Sequence, residues 1–432
     1  MQLIESPERV AVLGVGYVGL TAAACLAHLG HDVVAIDIDA ERVAGLQQGV
    51  VPIHEADLPE LVASGLASGR LQFTTEAGAA LSGTRFVFVC VPTPPRADGH
   101  ADLHFLDSAV DGIASLLDAE CVLVLKSTVP VGTNQRVVER LGRPDVKVVS
   151  NPEFLREGLA VRDFLDADRV VVGASAREAG DAVAALYGTT PRAVLHTDPA
   201  TAELVKYATN AFLASRLSFV NELAAICELV GGTIDDVVTG LGLDHRIGAN
   251  HLSPGPGWGG SCFPKDIRSL QATASDVGIM ARMLDSVVAA NDDQFDRLAD
   301  KVEAIAGGSL NGKRVAVLGL TFKAGTDDLR DSPALAVVGR LLTRGAAVTA
   351  YDPMVDAPPI EGMTIAASAL DAAASADVVA FLTEWDELGS LDLGRLAAVM
   401  AGDGVVDGRN MLDPHGVRLA GLRYMGIGRG AA

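Results

Sequence analysis

Short apolar runs alternate with longer amphipathic stretches along the first third of the chain. Buried strands are predicted at residues 10–13, 32–36, 86–91, 121–126 and 146–150. The stretches between them have helical periodicity, and strands that alternate with helices are typical of a parallel sheet. Because ligands bind beyond the carboxyl ends of such strands, the residues that follow each strand are the first candidates for chemistry.

The first predicted strand leads directly into a glycine-rich turn, Gly14-Val15-Gly16-Tyr17-Val18-Gly19, and then into a helix. The second strand ends at Asp37, about 20 residues on, so the pattern predicts a dinucleotide site with the pyrophosphate at the helix N-terminus. Asp37 can accept hydrogen bonds from both ribose hydroxyls and would repel a 2′-phosphate, which favours NAD over NADP. Arg42 either reaches the adenosine half or is a solvated helix residue.

One long helix is predicted in the middle of the chain, at residues 199–230, before Gly231 and Gly232. Its apolar positions recur at helical spacing, and its length predicts a helix that bridges two lobes. Lys206 and Asn210 are four residues apart and share one face of this helix. They are either a solvated surface pair or, given the apolar residues around them, a buried pair that needs a functional reason.

A second set of strands is predicted at residues 314–319, 347–351, 378–383 and 404–406. The first of them lacks the full dinucleotide fingerprint, so this region is expected to bind a different ligand. The predicted fold is α/β, with two Rossmann-like, doubly wound parallel-sheet domains joined by the long central helix. The predicted domains are 1–198 for the dinucleotide, 199–305 for the long helix and a glycine-rich cysteine loop, and 306–432 for the different ligand.

Charge and the absence of long apolar runs exclude several classes of partner. The formal net charge is −21 over 432 residues, whereas affinity for nucleic acid comes from Lys and Arg. The N-terminus lacks a basic segment followed by an apolar run, and no stretch approaches about 18 uninterrupted apolar residues. The sequence therefore predicts a cytoplasmic protein that binds neither nucleic acid nor membranes.

The five cysteines are too scattered for a disulfide framework, and no pair has metal-ligand spacing, so no metal site is expected. Four of them lie in apolar strand or helix patterns and are predicted to belong to the core. Cys262 instead lies in Gly259-Gly260-Ser261-Cys262-Phe263-Pro264-Lys265-Asp266. It is either a covalent nucleophile, favoured by a nearby cation, or a small buried residue beside a turn.

Seven motifs in order carry a resemblance to a known family: GVGYVG, VPTP, KSTVPVGT, NPEFLREG, ELVKYATNAF, GGSCFPKD and FKAGTDDLRDSP. Over residues 10–409 the chain resembles the nucleotide-sugar 6-dehydrogenases of the UDP-glucose/GDP-mannose dehydrogenase family. The resemblance implies an NAD-dependent, four-electron oxidation of UDP-glucose to UDP-glucuronate, carried out by a homodimer or a larger homo-oligomer.

The resemblance also implies catalytic roles. Cys262 would trap the aldehyde as a thiohemiacetal and then carry the thioester. Lys206 and Asn210 would stabilise the oxyanion, and a water held by Asp266 and Lys206 would act as the first base. Thr128 and Glu153 would orient and activate the hydrolytic water.

Binding roles follow from the same resemblance. The implied NAD contacts beyond the glycine-rich turn are Asp37, Arg42, Thr93, Thr128, Glu157, Lys265 and Arg330. The implied substrate contacts are Glu153, Phe154, Leu155, Arg156, Glu157, Lys206, Ser253, Pro254, Gly255, Gly259 and Lys323. Arg246 is expected to contact the sugar-nucleotide site of a neighbouring subunit, and the resemblance assigns dimerisation to residues 199–305 and UDP-sugar binding to residues 306–432. Arg409, after a short predicted strand, either binds an anionic group such as a diphosphate or is an exposed basic residue.

Two alternative functions remain at this point. The same chemistry on GDP-mannose or a UDP-N-acetylhexosamine would need only a few different contacts to the sugar nucleotide. A two-electron hydroxyacid dehydrogenase would share the dinucleotide domain and the long helix, but it would need no cysteine.

Overall fold

The computed structural model describes residues 6–429, which form two compact units. The N-terminal unit runs to Thr209 and includes Arg268–Ile279, and the C-terminal unit comprises Asn210–Ile267 and the chain from Met280 onward. The prediction of two parallel-sheet α/β domains and a long central helix is confirmed.

The strands of the N-terminal unit are β1 (Arg9–Leu13), β2 (Asp32–Ile36), β3 (Leu71–Thr74), β4 (Phe86–Val89), β5 (Val122–Leu125), β6 (Lys147–Ser150), β7 (Val170–Ala174) and β8 (Val194–Thr197). Those of the C-terminal unit are β9 (Arg314–Leu318), β10 (Ala347–Tyr351), β11 (Met363–Ile365), β12 (Val378–Phe381), β13 (Gly404–Asp407) and β14 (Arg423–Gly426).

The helices up to the middle of the chain are α1 (Tyr17–Leu29), α2 (Ala40–Gln47), α3 (Leu58–Ser68), α4 (Ala77–Leu81), α5 (His104–Ile113), α6 (Thr133–Leu141), α7 (Ala160–Leu165), α8 (Arg177–Ala185) and α9 (Pro199–Val230). The later ones are α10 (Ile234–Leu243), α11 (Phe263–Asp276), α12 (Arg282–Ile305), α13 (Pro333–Thr343), α14 (Ala369–Ala373), α15 (Asp386–Gly389), α16 (Leu393–Val399) and α17 (Pro414–Leu419).

The N-terminal sheet has the order β3-β2-β1-β4-β5-β6-β7-β8 and is parallel except between β6 and β7. The strand order reverses between β1 and β4, which is where open sheets of this kind bind ligands. Strands β4 and β5 are buried along their whole length, as expected for strands covered by helices on both faces.

The C-terminal sheet has the order β11-β10-β9-β12-β13-β14, is parallel throughout, and reverses between β9 and β12. Asp352 follows β10, at the position that corresponds to Asp37 after β2. Its carboxylate is buried and accepts hydrogen bonds from the backbone N–H groups of Leu320 and Thr321, at 2.7 and 3.0 Å, and from the Trp385 indole at 3.1 Å. These bonds occupy the group that would bind a ribose, which agrees with the prediction that this sheet binds a different ligand.

Candidate active site

The glycine-rich turn after β1 leaves open space at one glycine and none at two others. A Cβ on Gly14, whose φ is +86°, would lie 2.8 Å from the Cys90 carbonyl oxygen, and one on Gly19 would lie 1.8 Å from the Gly14 oxygen. Nothing lies within 4 Å of a Cβ placed on Gly16. The turn is therefore packed tightly from behind and open at the start of α1, a cradle that fits a pyrophosphate.

Asp37 is positioned by the same turn. One carboxylate oxygen accepts the Val15 N–H at 2.7 Å, and the other accepts the Asp39 N–H at 3.0 Å. The Arg42 guanidinium lies 3.9 Å from Asp37 and is part-exposed. These residues fit the ribose of an adenine dinucleotide, since the carboxylate keeps acceptor capacity beside the turn.

The loops that follow β4 and β5 are bonded to each other. The Thr93 hydroxyl donates to the Thr128 carbonyl at 2.8 Å, and the Ser127 hydroxyl donates to the Val91 carbonyl at 2.6 Å. Both loops begin beside the point where the strand order reverses. Thr93 and Thr128 are thus brought together at the ligand edge of this sheet.

Lys206 and Glu153 form a buried ion pair within the N-terminal unit. Their charged atoms are 2.8 Å apart, and the side chains are 3% and 5% exposed. Burial by itself would raise the pKa of Glu153, but the charge and hydrogen bond of Lys206, with help from the Leu155 N–H and the charge of Lys126, hold it below its ordinary value. Glu153 is therefore an ionised acceptor at neutral pH.

The rest of the NPEFLREG segment surrounds this pair. The Phe154 ring lies between two cations, 5.5 Å from Lys206 Nζ and 4.1 Å from the Arg169 guanidinium carbon. Arg156 forms an exposed ion pair with Asp163 at 2.6 Å, so its guanidinium is already engaged with a carboxylate of the same unit.

Cys262 directly precedes α11, whose first-turn N–H of Asp266 donates to the Cys262 carbonyl at 2.9 Å. A helix N-terminus favours negative charge, and so favours a thiolate over a thiol. The Cys262 sulfur is part-exposed and lies 3.5 Å from the Ser261 hydroxyl. Cys262 therefore combines access with a setting suited to a nucleophile.

Asp266 lies one turn into α11 and is fully buried. One carboxylate oxygen accepts from the Asn210 amide at 2.6 Å, and the other accepts from Lys265 at 2.6 Å. Asn210 is thus bonded to Asp266 within the C-terminal unit, while Lys206, one turn earlier on α9, is bonded to Glu153 within the N-terminal unit.

The other four cysteines are buried, as predicted. Burial raises the pKa of Cys90 to about 12 and that of Cys121 to about 11, and it raises the pKa of Cys25 further still. Thiols with such values are inert at neutral pH.

The glycine-rich loop before Cys262 is held by buried polar side chains of α9 and α12. The Gly255 N–H donates to Asn221 at 2.9 Å, and the Gly255 carbonyl accepts from Gln294 at 2.9 Å. Trp258 is held by Asn291 through its backbone and by Ser218 through its indole N–H, which donates at 2.9 Å. These bonds hold the loop in its conformation.

Gly259 and Gly260 permit two close approaches. A Cβ on Gly259 would lie 2.0 Å from the Asp331 carbonyl oxygen, and one on Gly260, where φ is +81°, would lie 2.7 Å from the Phe322 ring. Larger residues would push Cys262 away from the segment that follows β9.

Arg409 lies at the ligand edge of the C-terminal sheet. Its guanidinium is 2.9 Å from the Glu384 carboxylate and donates to the Leu382 and Phe322 carbonyls at 2.9 and 3.0 Å. A Cβ on Gly255 would lie 3.4 Å from the same guanidinium. The Ser253–Pro254–Gly255 loop, the segment bearing Lys323 and Arg409 are thus brought together where the strand order reverses.

Two arginines with predicted binding roles are largely exposed. Arg246 is 78% exposed and bonds to Asp244, and Arg330 is 68% exposed and bonds to Asp328. Their binding roles stay predictions.

Sequence reasoning missed the buried acids that support these loops. Glu203, on α9, accepts the N–H groups of Gly132 and Asn134 at the start of α6, each at 2.7 Å. Glu55 accepts the N–H groups of Gly158 and Ala160 at 2.7 and 2.8 Å. The signal for Glu203 was an acid on the apolar face of a helix that also carries Lys206.

Three family models cover this chain in order. Residues 8–190 match the NAD-binding domain of the UDP-glucose/GDP-mannose dehydrogenase family, residues 200–293 its central domain, and residues 316–414 its UDP-binding domain. A UDP-glucose 6-dehydrogenase of Rhizobium meliloti is 46% identical over 98% of this chain and 99% of its own length. The chain belongs to the UDP-glucose/GDP-mannose dehydrogenase family.

Solved structures give the same assignment. A UDP-glucose dehydrogenase from Pyrobaculum islandicum superposes with a TM-score of 0.90 at 36% identity, covering 99% of this chain and 98% of that one. A UDP-D-ManNAc dehydrogenase from Pyrococcus horikoshii gives a TM-score of 0.87 at 28% identity, over 98% and 99% of the two chains. This dehydrogenase is therefore an NAD-dependent oxidoreductase, and the glycine-rich turn with Asp37 belongs to its NAD-binding domain.

Residues 6–429 contain neither a helix able to span a membrane nor a cluster of metal-ligating side chains. Every helix in this part of the chain is too short or too polar to span a lipid bilayer. Within the same residues, no group of three or more His, Cys, Asp or Glu side chains is arranged to hold a metal ion.

Proposed function

We propose that this dehydrogenase oxidises UDP-glucose to UDP-glucuronate. The observation that carries the proposal is the accessible Cys262 at the start of α11, in a chain 46% identical to a UDP-glucose 6-dehydrogenase. A two-electron alcohol dehydrogenase needs no such nucleophile, whereas oxidation through to a carboxylate is aided by one.

The proposed reaction begins with loss of the C6 hydroxyl proton to a water held by Asp266 and Lys206. Bound NAD supplies the hydride acceptor in each of the two oxidations. Cys262 adds to the aldehyde carbon as a thiolate, and the oxyanion that forms is stabilised by Lys206 and the Asn210 amide. Loss of the second hydride leaves a thioester on Cys262.

Hydrolysis then releases the carboxylate and regenerates the thiol. We propose that Thr128 orients the water and that Glu153, which is ionised and therefore has a free lone pair for a proton, accepts a proton from it. One primary alcohol and one water thus give one carboxylate, with two hydrides transferred and three protons released. The Lys206–Glu153 pair would have to loosen when Lys206 turns to the substrate oxygen.

The proposed binding of the UDP moiety uses the C-terminal sheet. Arg409 and Lys323 would face the diphosphate, and the Ser253–Pro254–Gly255 loop would close on the nucleotide. Support comes from the match of residues 316–414 to a UDP-binding domain and from the hydrogen bonds of Gly255 with Asn221 and Gln294, which hold the loop.

The choice of sugar nucleotide can be tested by initial rates of NADH formation. With saturating NAD, we expect kcat/KM for UDP-glucose to exceed that for GDP-mannose, UDP-N-acetylglucosamine and UDP-N-acetylmannosamine by at least about a hundredfold, or roughly 2.7 kcal/mol. The NADH to uronate ratio should be two to one. Equal or faster turnover of any competing sugar nucleotide would contradict the proposed substrate.

We further propose that the enzyme is a homodimer or a larger homo-oligomer formed through α9. From Phe212 to its C-terminal end, this helix exposes apolar side chains at helical spacing: Phe212, Phe219, Ile226, Leu229 and Val230. Leu229 is 88% exposed, and a contiguous apolar stripe of this kind is typical of a protein interface. A second copy of the chain would cover this stripe. The same assembly would bring Arg246 to the sugar-nucleotide site of the neighbouring subunit.

Phe219→Asp should dissociate this assembly, because a charge would be buried at the centre of the stripe. Size-exclusion chromatography with light scattering should give at least a dimer for the wild type and a lower mass for the variant. Phe105→Asp is the matched control, since Phe105 is an exposed phenylalanine on α5, outside the stripe. An unchanged mass for Phe219→Asp, or a monomeric wild type, would refute the proposal.

A further inference from the structure

Tyr17, Glu55 and the segment Gly158–Ala160 form a hydrogen-bonded cluster within the N-terminal unit. The Tyr17 hydroxyl donates to Glu55, and the Gly158 N–H donates to the same carboxylate oxygen at 2.7 Å. The Ala160 N–H donates to the other oxygen at 2.8 Å, and Gly158 also lies 3.1 Å from the Tyr17 hydroxyl. Three segments that are far apart in sequence therefore meet on one carboxylate.

The carboxylate of Glu55 is buried, with 4% exposure. A buried charge costs several kcal/mol unless hydrogen bonds replace its water. Here three donors do so, and hydrogen bonds to a charged group are stronger than neutral ones. Burial and the hydrogen bond to Glu55 raise the pKa of Tyr17 above its ordinary value, so the phenol is protonated and can donate at neutral pH.

The two sides of the cluster carry different parts of the proposed active site. Tyr17 is the first residue of α1, at the open end of the glycine-rich turn. Gly158, in a left-handed conformation with φ +77°, directly follows Glu157, the expected NAD contact. Glu153 lies near the other end of the irregular stretch that leads to Gly158, and its carboxylate is paired with Lys206.

The segment 151–159 has no regular secondary structure of its own. Side chains hold several of its backbone N–H groups: Glu153 accepts from Leu155, Asp163 accepts from Arg156, and Glu55 accepts from Gly158 at the end nearest the NAD turn. If Tyr17 merely filled space, its hydroxyl and a buried acid would both be unnecessary.

We infer that Tyr17 and Glu55 act as a positioning pair, which fixes the loop bearing Glu153 and Glu157 against the NAD turn. The inference rests on the proposed roles of those two loop residues. Glu55 touches neither reacting atoms nor cofactor in this account, and it acts through the loop it holds.

NAD affinity, measured by calorimetry without any sugar nucleotide, tests the pair independently of the proposed substrate. Tyr17→Phe removes one donor, and the Kd for NAD should rise about three- to tenfold. Glu55→Gln replaces an acceptor that serves three donors, and the Kd should rise at least tenfold. In the double variant the Kd should match that of Glu55→Gln within twofold, because Tyr17 acts through Glu55.

The control is Glu60→Gln, an exposed acid on α3, which should bind NAD as the wild type does. A purely structural role would lower the melting temperature and leave the Kd of the folded fraction unchanged within twofold. That result, or effects that multiply in the double variant, would overturn the inference. If Glu55→Gln does not fold, Tyr17→Phe with its KM for NAD and kcat measured separately still tests the inference, since a purely structural role leaves KM unchanged and an unchanged KM would overturn it.

Discussion

Cys262→Ser should reduce net formation of the uronate by at least about a thousandfold, or roughly 4 kcal/mol in activation free energy. A serine hydroxyl in the same position lacks the thiolate that adds to the aldehyde and that later leaves from the thioester. The variant should still bind NAD, because the glycine-rich turn and Asp37 belong to the other unit. The measurement is uronate and NADH produced per enzyme, with mass spectrometry of the wild type for an acyl adduct on Cys262.

Cys121→Ser is the matched control for this experiment. Cys121 is buried in the N-terminal unit at the start of β5, so its replacement should lower stability while leaving uronate formation per folded molecule intact. Full activity of Cys262→Ser with a two-to-one NADH yield would refute the thioester mechanism.

Lys206→Met should destabilise the protein by about 3–5 kcal/mol, because it leaves the buried carboxylate of Glu153 without its cation. The loss should be larger at pH 8 than at pH 5. In the wild type, the lowered pKa of Glu153 contributes stability that is present above the ordinary glutamate pKa and is lost as pH falls through the folded value. In the variant burial dominates and the pKa lies above the ordinary value, so the ionised carboxylate costs stability at neutral and higher pH.

The free energy of unfolding from urea denaturation, measured from pH 5 to pH 8, tests this expectation. Lys206→Met combined with Glu153→Gln should recover most of the lost stability, because no unpaired charge remains. The control is Lys301→Met, since Lys301 and Glu228 form a partly exposed pair at 2.6 Å. Lys301→Met should lower the free energy of unfolding by on the order of 1 kcal/mol or less. A destabilisation by Lys206→Met that is small or independent of pH would show that the Lys206–Glu153 pair is not a coupled buried pair.

The pattern of apolar and polar residues along the chain was sufficient to predict the helix and strands that carry the proposed active-site residues. The long helix was predicted at residues 199–230 and is α9 (Pro199–Val230), because a continuous helical period over many turns has few competing structures. The predicted strands of both sheets lie within one or two residues of the observed ones. Strand β7 was not among the predicted strands, and it pairs antiparallel to β6; the periodicity of a short buried strand carries no information about its direction.

The same pattern was less reliable for predicting which side chains of a helix are buried. Leu204 and Phe212, whose apolar character suggested a mostly buried helix, are exposed, whereas Lys206 between them is buried. An apolar residue on a helix marks a face to be covered, but the sequence does not say whether the same chain or a second copy covers it.

The sequence by itself determined the fold class, the NAD turn and the importance of Cys262, because each depends on residues that are adjacent in the chain. Tertiary structure alone decided which partners meet: Lys206 with Glu153, Asn210 with Asp266, and Tyr17 with Glu55. These pairs join residues tens of positions apart, and nothing in local spacing specifies them. Hydrogen bonds and ion pairs of buried groups are fixed only when packing excludes water, so they appear only once the chain has folded.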